Sequence, residues 1–509
     1  MQPSTARFVL DPAFDVAVVD PRLFGAFVEH LGRCVYTGLY EPEHPTADED
    51  GLRTDVLELI RQLGVSVVRY PGGNFVSAYR WEDGVGPARQ RPRRLDPAWR
   101  SIETNRFGLA EFMRSLRKTG GAPMLAVNLG TRGVAEALEL LEYANHPSGT
   151  ALSDLRVAHG DTAPFGVRLW ALGNELDGPW QIGHKTATEY GRLAAATAHA
   201  MRLIDPQAEF VVCGSSGRGM PTFGAWEAEV LEHTYDLADY VSVHAYYEER
   251  EGDRDSFLAS AVDMDALIEG VVATCDYVGA KLKSAKRIRL SFDEWNVWYM
   301  SKQPPEGPRD WSEAPRLLED VYSVTDAVVV GSMLISLLRH ADRVAIGCLA
   351  QLVNVIAPIM TEPGGPAWRQ TTFFPFAQAS RYGRGRVLQV HADSPAYSTA
   401  VHGTAPILHA TAVLDEESGA VTIFAVNRSQ SEPLALRVEL RGLEASAVLE
   451  HSVLTDADAD AKNTLAEPER VTPQAAKGSE ILGGVLDATL PPLSWNVIRL
   501  GSPKSISGA

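Results

Sequence analysis

The sequence predicts an α/β protein in which a (β/α)₈ TIM barrel is followed by a C-terminal all-β jelly-roll or sandwich domain. Over residues 20–385, short apolar segments alternate eight times with helical segments. This alternation is typical of parallel strands joined by crossover helices, and eight units are the number that closes a barrel. After residue 386 the helical period ends and short alternating segments follow, as in an all-β domain.

The eight predicted strands are apolar runs that end at polar residues or glycines. In chain order they are 23–30, 65–70, 123–129, 167–175, 210–213, 240–247, 288–295 and 344–353. The helices predicted from apolar residues at helical spacing are 50–63, 106–119, 133–144, 184–204, 223–235, 256–282 and 313–340. An open, doubly wound sheet is the alternative, but no Gly-x-Gly-x-x-Gly follows the first strand, which weakens a dinucleotide-binding version of it.

The segments outside the barrel are assigned by their composition. Residues 1–19 alternate weakly, and we expect them to pair with the β domain over 386–501, because a lone strand needs a sheet. Residues 502–509 are expected to form a flexible tail. The polar connections 75–104 and 299–312 are expected to lie over the site as loops.

Composition excludes several classes of partner. The net charge of -18 and the pI of about 5.2 argue against nucleic acid and anionic membranes, which both require a basic surface. No run reaches the ~18 apolar residues of a membrane helix, and the N-terminus lacks a secretory pattern, so a cytoplasmic location is expected. The widely spaced cysteines predict neither a disulfide frame nor a zinc site.

Two glutamates are the candidate catalytic residues. Glu175 closes the buried strand VRLWALGNE, and Glu294 lies near the end of IRLSFDEW. In a barrel the active site lies at the carboxyl ends of the strands, and strands four and seven are almost opposite each other. Glycoside hydrolysis uses such a pair of carboxyl groups. Either glutamate alone would more often be a solvated or ion-paired residue of the rim.

The other strand ends carry groups that suit a sugar. They are Glu29-His30, Gly73-Asn74, Asn128, Asn174, Ser215-Ser216, His244 with Tyr246, Asp293, and Gln351 with Asn354. Amides and carboxylates bind hydroxyls, and aromatic rings offer flat apolar faces. Taken singly, His244 and Tyr246 would more often be packed and hydrogen-bonded, and Glu29 would only hold a neighbour in place. Metal ligation is an open alternative, but no tight ligand spacing such as His-x-x-x-His supports it.

Three motifs resemble the α-L-arabinofuranosidases of glycoside hydrolase family 51. They are Arg69-Tyr70-Pro71-Gly72-Gly73-Asn74, Gly173-Asn174-Glu175 and Asp293-Glu294-Trp295-Asn296-Val297-Trp298, and the resemblance extends to the closing Pro491–Trp495. It implies exo-acting, retaining release of terminal α-L-arabinofuranosyl residues from oligosaccharides. It also implies that Glu175 is the acid/base and Glu294 the nucleophile.

The resemblance also implies a set of substrate-binding residues. Glu29, Asn74, Asn174, Tyr246 and Gln351 would hydrogen-bond the furanose, with His244 nearby, and Trp298 and Trp99 would border the leaving-group side. No cofactor and no metal are implied, and the chain is expected to form a homo-oligomer, a hexamer or smaller. The loops 75–104 and 299–312 match no pattern, so the aglycone preference stays open.

Three other functions remain as alternatives. A retaining β-xylosidase or endo-β-glucanase would use the same barrel and the same two glutamates, and a blocked or open pocket would distinguish exo from endo action. A catalytically silent carbohydrate-binding protein would bind saccharide without turnover. A metal-dependent hydrolase would lose activity to a chelator.

Overall fold

The computed structural model describes residues 4–302 and 310–502, and at its centre is a closed barrel of eight parallel strands. In chain order the strands are β1 Gly25–Phe27, β2 Val67–Tyr70, β3 Ala122–Ala126, β4 Leu169–Leu172, β5 Glu209–Val212, β6 Tyr240–Tyr247, β7 Arg289–Val297 and β8 Val344–Leu349. Each strand pairs with its neighbours in the chain, and Cys348 of β8 pairs with Gly25 of β1 to close the barrel. The predicted fold class is therefore confirmed.

Helices surround the barrel. They are α1 Thr54–Leu63, α2 Leu109–Thr119, α3 Val134–Asn145, α4 Ala151–Ala158, α5 Ala187–Ile204, α6 Ala225–Thr234, α7 Arg254–Leu258, α8 Ser260–Leu282, α9 Val324–Arg339 and α10 Phe373–Tyr382. The helix predicted over 313–340 was wrong in its first third. It begins at Val324, because the Ser323 side chain accepts a hydrogen bond from the backbone N–H of Asp326 and caps the helix there.

The connection 75–104 contains local structure. Short 3₁₀ turns lie along it at Asn74–Ala78, Trp81–Gly84 and Ala88–Gln90. Others occur elsewhere in the chain, at Pro21–Leu23 and Met300–Lys302. Strands Arg94–Asp96 and Ser101–Glu103 pair antiparallel, and we call residues 94–103 the pocket hairpin. A second small hairpin joins Ile359–Thr361 to Ala367–Arg369.

The C-terminal part of the chain forms two further sheets. One contains Asp15–Val18, Arg386–Leu388, Leu408–Leu414, Val421–Asn427, Ser494–Gly501, Ala447–Leu454 and Gln474–Ala475, and the other Ser4–Leu10, Leu434–Leu440, Val485–Leu490 and Glu480–Leu482. A small hairpin, Ala396–Thr399 with Gly403–Pro406, stands apart from both. Apolar side chains from the two sheets share one buried core, so they form a sandwich.

Both N-terminal strands join this sandwich. Ser4–Leu10 pairs in parallel with Leu434–Leu440, and Asp15–Val18 pairs antiparallel with Arg386–Leu388. On these pairings we propose domain limits of 20–385 for the barrel and 386–501, with 1–19, for the β domain. The predicted tail 502–509 lies outside the described residues except for Ser502, and so do 303–309 of the predicted loop 299–312.

Helix α9 packs against several strands of the β domain, and its contact with Trp495 is especially close. Trp495 is fully buried, and an added Cβ on Gly331 of α9 would lie 2.4 Å from its ring. The Trp495 indole N–H donates to Gln378 of α10 at 2.8 Å. In the part of the chain that the structure describes, no helix has the length and apolar content to cross a membrane.

Candidate active site

The two candidate glutamates face each other at the carboxyl ends of β4 and β7. A carboxylate oxygen of Glu175 and one of Glu294 lie within 4.8 Å of each other. Glu294 is 6% exposed, and Glu175 is half-buried beside it. The backbone of Glu175 has φ of 45°, in the left-handed region that costs a non-glycine residue about 1 kcal/mol or more. The barrel therefore brings together two carboxyl groups that lie far apart in the sequence.

Arg69, at the end of β2, fixes the position of Glu294. Its guanidinium donates to Glu294 Oε1 at 2.6 Å and to Asn174 Oδ1 at 2.6 Å, and its Nε lies 3.4 Å from Asp293 Oδ2. Asn174 in turn donates to Asn74 Oδ1 at 3.2 Å. Because this arginine is buried and contacts Glu294 directly, it holds that carboxyl group in one orientation.

His244 of β6 lies between the two glutamates. Its Nδ1 shares a 2.8 Å hydrogen bond with Glu175 Oε1 and lies 3.6 Å from Glu294 Oε2. On the other side of the ring, Nε2 shares a 3.0 Å hydrogen bond with Ser242 Oγ, which donates to Asp293 Oδ1 at 2.6 Å. Asp293 and Ser242 therefore fix the orientation of the imidazole.

The electrostatics set the protonation of this group. Burial raises the pKa of Glu175; the hydrogen bond from His244 opposes this rise, and the charge of Glu294 adds to it. Burial alone would lower the pKa of His244, but Glu294, Asp293 and Glu175 raise it to about 10. Burial would also raise the pKa of Asp293, which the charge of Arg69 and the contacts with His244 hold below its ordinary value.

Glu29, just beyond β1, accepts a second group of hydrogen bonds in the pocket. Its Oε1 accepts from the Trp99 indole N–H and from the backbone N–H of Phe75, both at 2.9 Å, and its Oε2 accepts from Gln351 at 2.9 Å. Burial raises the pKa of Glu29 to about 7, against the opposing effect of these donors. Trp99 belongs to the turn of the pocket hairpin.

The glycines of the Pro-Gly-Gly-Asn motif leave space for the side chains of Glu29 and Glu294. An added Cβ on Gly72, whose φ is 153°, would lie 2.5 Å from Glu29 Cγ. An added Cβ on Gly73 would lie 2.9 Å from Glu294 Oε1 and 3.5 Å from Asn174 Nδ2. Any side chain at these two positions would enter the pocket, so both positions require glycine.

Tyr246, Trp298 and Gln351 complete the wall. The Tyr246 hydroxyl donates to Glu294 Oε2 at 2.8 Å, and its ring meets the Trp298 ring edge-on with centroids 5.0 Å apart. Among the residues that the structure describes, Trp298 Nε1 and Gln351 Oε1 are buried polar atoms without a hydrogen-bond partner. Such atoms are costly unless a ligand or water satisfies them, which fits a pocket built for a polyhydroxylated substrate.

Trp180 is a site residue that sequence reasoning missed. It lies in the loop after β4, is 52% exposed, and its indole N–H donates to Glu175 Oε2 at 3.0 Å. The available signal was an aromatic residue five positions after the candidate acid, in the loop that follows its strand. Arg69 was quoted within a motif, but its contacts with Glu294 and Asn174 were not foreseen.

Some strand-end residues do not belong to the pocket. Asn128 bonds to the backbone of Tyr79, and Asn354 bonds to the backbone of Arg33. The backbone N–H of Ser215 donates to Glu227 of α6, and that of Ser216 donates to Asp177 in the loop after β4. These four residues stabilise loops around the mouth of the barrel.

One group in the described part of the chain has the ligand types for a metal ion. Glu175, His244 and Glu294 place one ligand atom each within 4.8 Å of one another. In this arrangement His244 Nδ1 is bonded to Glu175.

The fold and the site define a glycoside hydrolase: a (β/α)₈ barrel with two facing glutamates in a pocket lined by amides and aromatic rings. Comparison with known proteins gives the family. Residues 59–262 match the α-L-arabinofuranosidase 1 domain, and residues 293–494 match the α-L-arabinofuranosidase C-terminal domain. The chain belongs to the α-L-arabinofuranosidases of glycoside hydrolase family 51.

Individual relatives align along nearly the whole chain. A Streptomyces lividans protein named intracellular exo-α-(1→5)-L-arabinofuranosidase is 70% identical over 98% of this chain and 76% of its own length. A Bifidobacterium longum protein named exo-α-(1→6)-L-arabinofuranosidase is 54% identical over 97% of each chain. The structure of a family 51 α-L-arabinofuranosidase from Bifidobacterium longum matches with a TM-score of 0.94 and 47% identity, over 98% of this chain and 100% of that one.

Proposed function

We propose that this protein is an exo-acting, retaining α-L-arabinofuranosidase that releases terminal α-L-arabinofuranosyl residues from short oligosaccharides. The observation that carries the proposal is the pair Glu175 and Glu294, whose nearest carboxylate oxygens lie within 4.8 Å. Retaining glycosidases hold their two carboxyl groups about 5–5.5 Å apart, whereas inverting enzymes need about 6.5–9.5 Å to admit a water. The short separation supports direct attack by a carboxylate.

In the first step, Glu294 attacks the anomeric carbon while Glu175 donates its proton to the leaving oxygen. The glycosidic bond breaks, and an arabinosyl ester forms on Glu294. In the second step, Glu175 takes a proton from water, the water attacks the anomeric carbon, and the ester bond breaks to regenerate the Glu294 carboxylate. Two inversions give net retention of configuration.

The surrounding residues suit these roles. Arg69 and Tyr246 both donate to Glu294, which holds the nucleophile in one orientation. The raised pKa of Glu175 keeps a proton available for the leaving group. Formation of the ester removes the charge of Glu294, which lowers the proton affinity of Glu175 and prepares it to act as base.

Glu29, Asn74, Asn174 and Gln351 are proposed to bind the furanose hydroxyls. Trp298 and Trp99 are assigned to the border of the pocket, where Trp99 also donates to Glu29. His244 is assigned a positioning role on Glu175. Relatives named for α-(1→5) and α-(1→6) activity both align over nearly the whole chain, so the linkage must be measured. We propose α-(1→5) because it is the activity in the name of the 70% identical relative.

The proposal is tested by comparing aryl α-L-arabinofuranoside with aryl β-D-xyloside and β-D-glucoside, with α-(1→5)- and α-(1→6)-linked arabino-oligosaccharides as a second panel. We expect Glu294-dependent release from the arabinofuranoside and faster cleavage of the α-(1→5) linkage, with no loss after treatment with a chelator. Activity mainly on a β-D-glycoside would overturn the substrate assignment. Binding of saccharide without turnover would favour a binding protein instead.

We further propose a cytoplasmic location, as the word intracellular in the names of several relatives suggests. Assembly into a homo-oligomer, a hexamer or smaller, also stays a prediction. Light scattering coupled to size-exclusion chromatography measures the subunit count directly.

A further inference from the structure

A buried contact between a histidine and a glutamate lies beside the pocket and takes no part in the chemistry described above. His30 Nδ1 lies 2.9 Å from Glu103 Oε2, and the two side chains are 0% and 6% exposed. The other ring nitrogen shares a 2.8 Å hydrogen bond with the Tyr70 hydroxyl. The Tyr36 hydroxyl donates to the second oxygen of Glu103. Removing His30 would leave the Glu103 carboxylate without this partner in the interior.

The pair connects two elements that both reach the sugar pocket. His30 directly follows Glu29 beyond β1, and Glu103 is the last residue of the pocket hairpin. Trp99, in the turn of the same hairpin, donates to Glu29 Oε1. The hairpin therefore meets the chain after β1 at two adjacent residues, at Glu29 through Trp99 and at His30 through Glu103.

Several other contacts of the hairpin fix its internal shape or lie at the surface, among them the backbone hydrogen bond from the Ile102 N–H to the exposed Ser312. Asp96 accepts from the backbone N–H of Ala98 and of Trp99, which shapes the turn. Arg94 pairs with Asp83, but its side chain is 49% exposed, and exposed pairs contribute little. The buried contact between His30 and Glu103 is therefore the one best suited to set how the turn sits over Glu29.

The ring of His30 is also fixed by its neighbours. Phe75 lies 4.8 Å from it and Tyr70 5.5 Å, measured between ring centroids, with Tyr36, Tyr79 and Phe107 further out. Phe75 is the residue whose backbone N–H donates to Glu29. Because these rings hold the imidazole in place, the imidazole can in turn hold the hairpin in one position.

We propose that His30 and Glu103 are positioning residues whose buried contact clamps the pocket hairpin to the end of β1 and holds the Trp99 N–H on Glu29 while the arabinofuranosyl group binds. This inference rests on the proposed function. Neither residue touches the sugar. Loosening the clamp lowers the fraction of molecules that are ready to bind, and the apparent affinity falls in proportion to that fraction.

The test compares His30→Gln, Glu103→Gln and the double variant on an aryl α-L-arabinofuranoside. Each single variant should raise KM by about fivefold or more and change kcat by less than about twofold. The double variant should recover part of the loss, because two neutral amides can bond and neither strands a buried charge. Arg94→Gln, which breaks the exposed pair of the same hairpin, is the matched control and should leave both constants unchanged.

A second comparison separates clamping from general destabilisation. In a Trp99→Phe background, which lacks the indole N–H, His30→Gln should raise KM no further. If the increases in KM from Trp99→Phe and His30→Gln were additive, the clamp would be contradicted. An unchanged KM in folded single variants would contradict it as well. If a single variant does not fold, Glu103→Asp keeps the charge but shortens the side chain, and an unchanged KM there has the same meaning. Wild-type protein without activity on this substrate would instead count against the proposed function.

Discussion

At the scale of single residues, Glu175 carries the largest demand, because one carboxyl group must donate a proton and then accept one. Both of its oxygens are engaged in the free protein, one with His244 and the other with Trp180. Two donors favour the ionised form, whereas burial and Glu294 favour the protonated form. The balance between these effects lets the group change role during the cycle.

The first prediction separates the two glutamates by leaving group. Glu294→Ala should lower kcat/KM by about 10⁴-fold or more on every substrate, because it removes the nucleophile. Glu175→Ala should spare the first step for aryl leaving groups that need no proton, and lose about 10²–10⁴-fold on oligosaccharides. Pre-steady-state release of the aryl group measures the first step. Equal losses for both variants on the activated substrate would reverse or remove these roles.

The second prediction concerns the hydrogen bond from Trp180. Trp180→Phe keeps a flat ring but removes the donor to Glu175, so the pKa of Glu175 should rise further. A higher pKa keeps the acid form present to higher pH, and the alkaline limb of kcat/KM should move up by about half a pH unit. The control is Trp311→Phe, at a tryptophan whose ring contacts the Arg100 guanidinium. An alkaline limb that stays in place would contradict the assigned contact.

The residue level shows what the sequence can and cannot predict. Glu175 and Glu294 were predicted because each ends an apolar strand, and a barrel gathers strand ends at one face. The contacts of Arg69 with Glu294 and Asn174 depend on how the barrel closes, so no local pattern announces them. Trp180 was missed although it lies five positions after Glu175, because the spacing alone does not show that the folded loop brings its indole N–H back to that carboxylate.

At the scale of elements, the loops after β1 and β2 form one side of the pocket, and the glycines after β2 set its width. The third prediction is that Gly73→Ala lowers kcat/KM about 10- to 100-fold, because its Cβ would lie 2.9 Å from Glu294 Oε1 and displace the nucleophile. Thermal stability should change little. Gly219→Ala is the control, because an added Cβ there meets no atom within 4 Å. Full activity of Gly73→Ala would show that the pocket is wider than described.

Prediction also worked unevenly at the element level. The strand at 240–247 was predicted with its observed bounds, because an apolar run between polar segments defines it well. The helix at 313–340 was extended too far, since the segment before Ser323 is held by contacts with distant residues. One such contact is the backbone N–H of Tyr322 with Gln370. The pocket hairpin was read as loop because its strands are three residues each.

At the scale of the whole molecule, α9 packs against the β domain, and Trp495 is one of its closest contacts there. The fourth prediction is that Gly331→Ala lowers the thermal midpoint by about 2–5 °C, because the added methyl group would enter the Trp495 ring. Gly270→Ala in α8 is the matched control. Its nearest contact would be an ordinary 3.6 Å, so the better helix propensity should raise the midpoint slightly. A Gly331→Ala protein as stable as the wild type would mean that the two domains pack less tightly than described.

The central claim is that Glu294 attacks an α-L-arabinofuranosyl group to form a covalent ester. The most direct test is peptide mapping by mass spectrometry of Glu175→Ala protein incubated with an aryl α-L-arabinofuranoside that has a good leaving group. The missing acid/base slows release of the ester, so we predict an arabinosyl adduct on Glu294 in the peptide that contains it. Added azide should remove the adduct and give an arabinosyl azide with retained configuration. An adduct on another residue, or turnover to an inverted product without any adduct, would contradict the account.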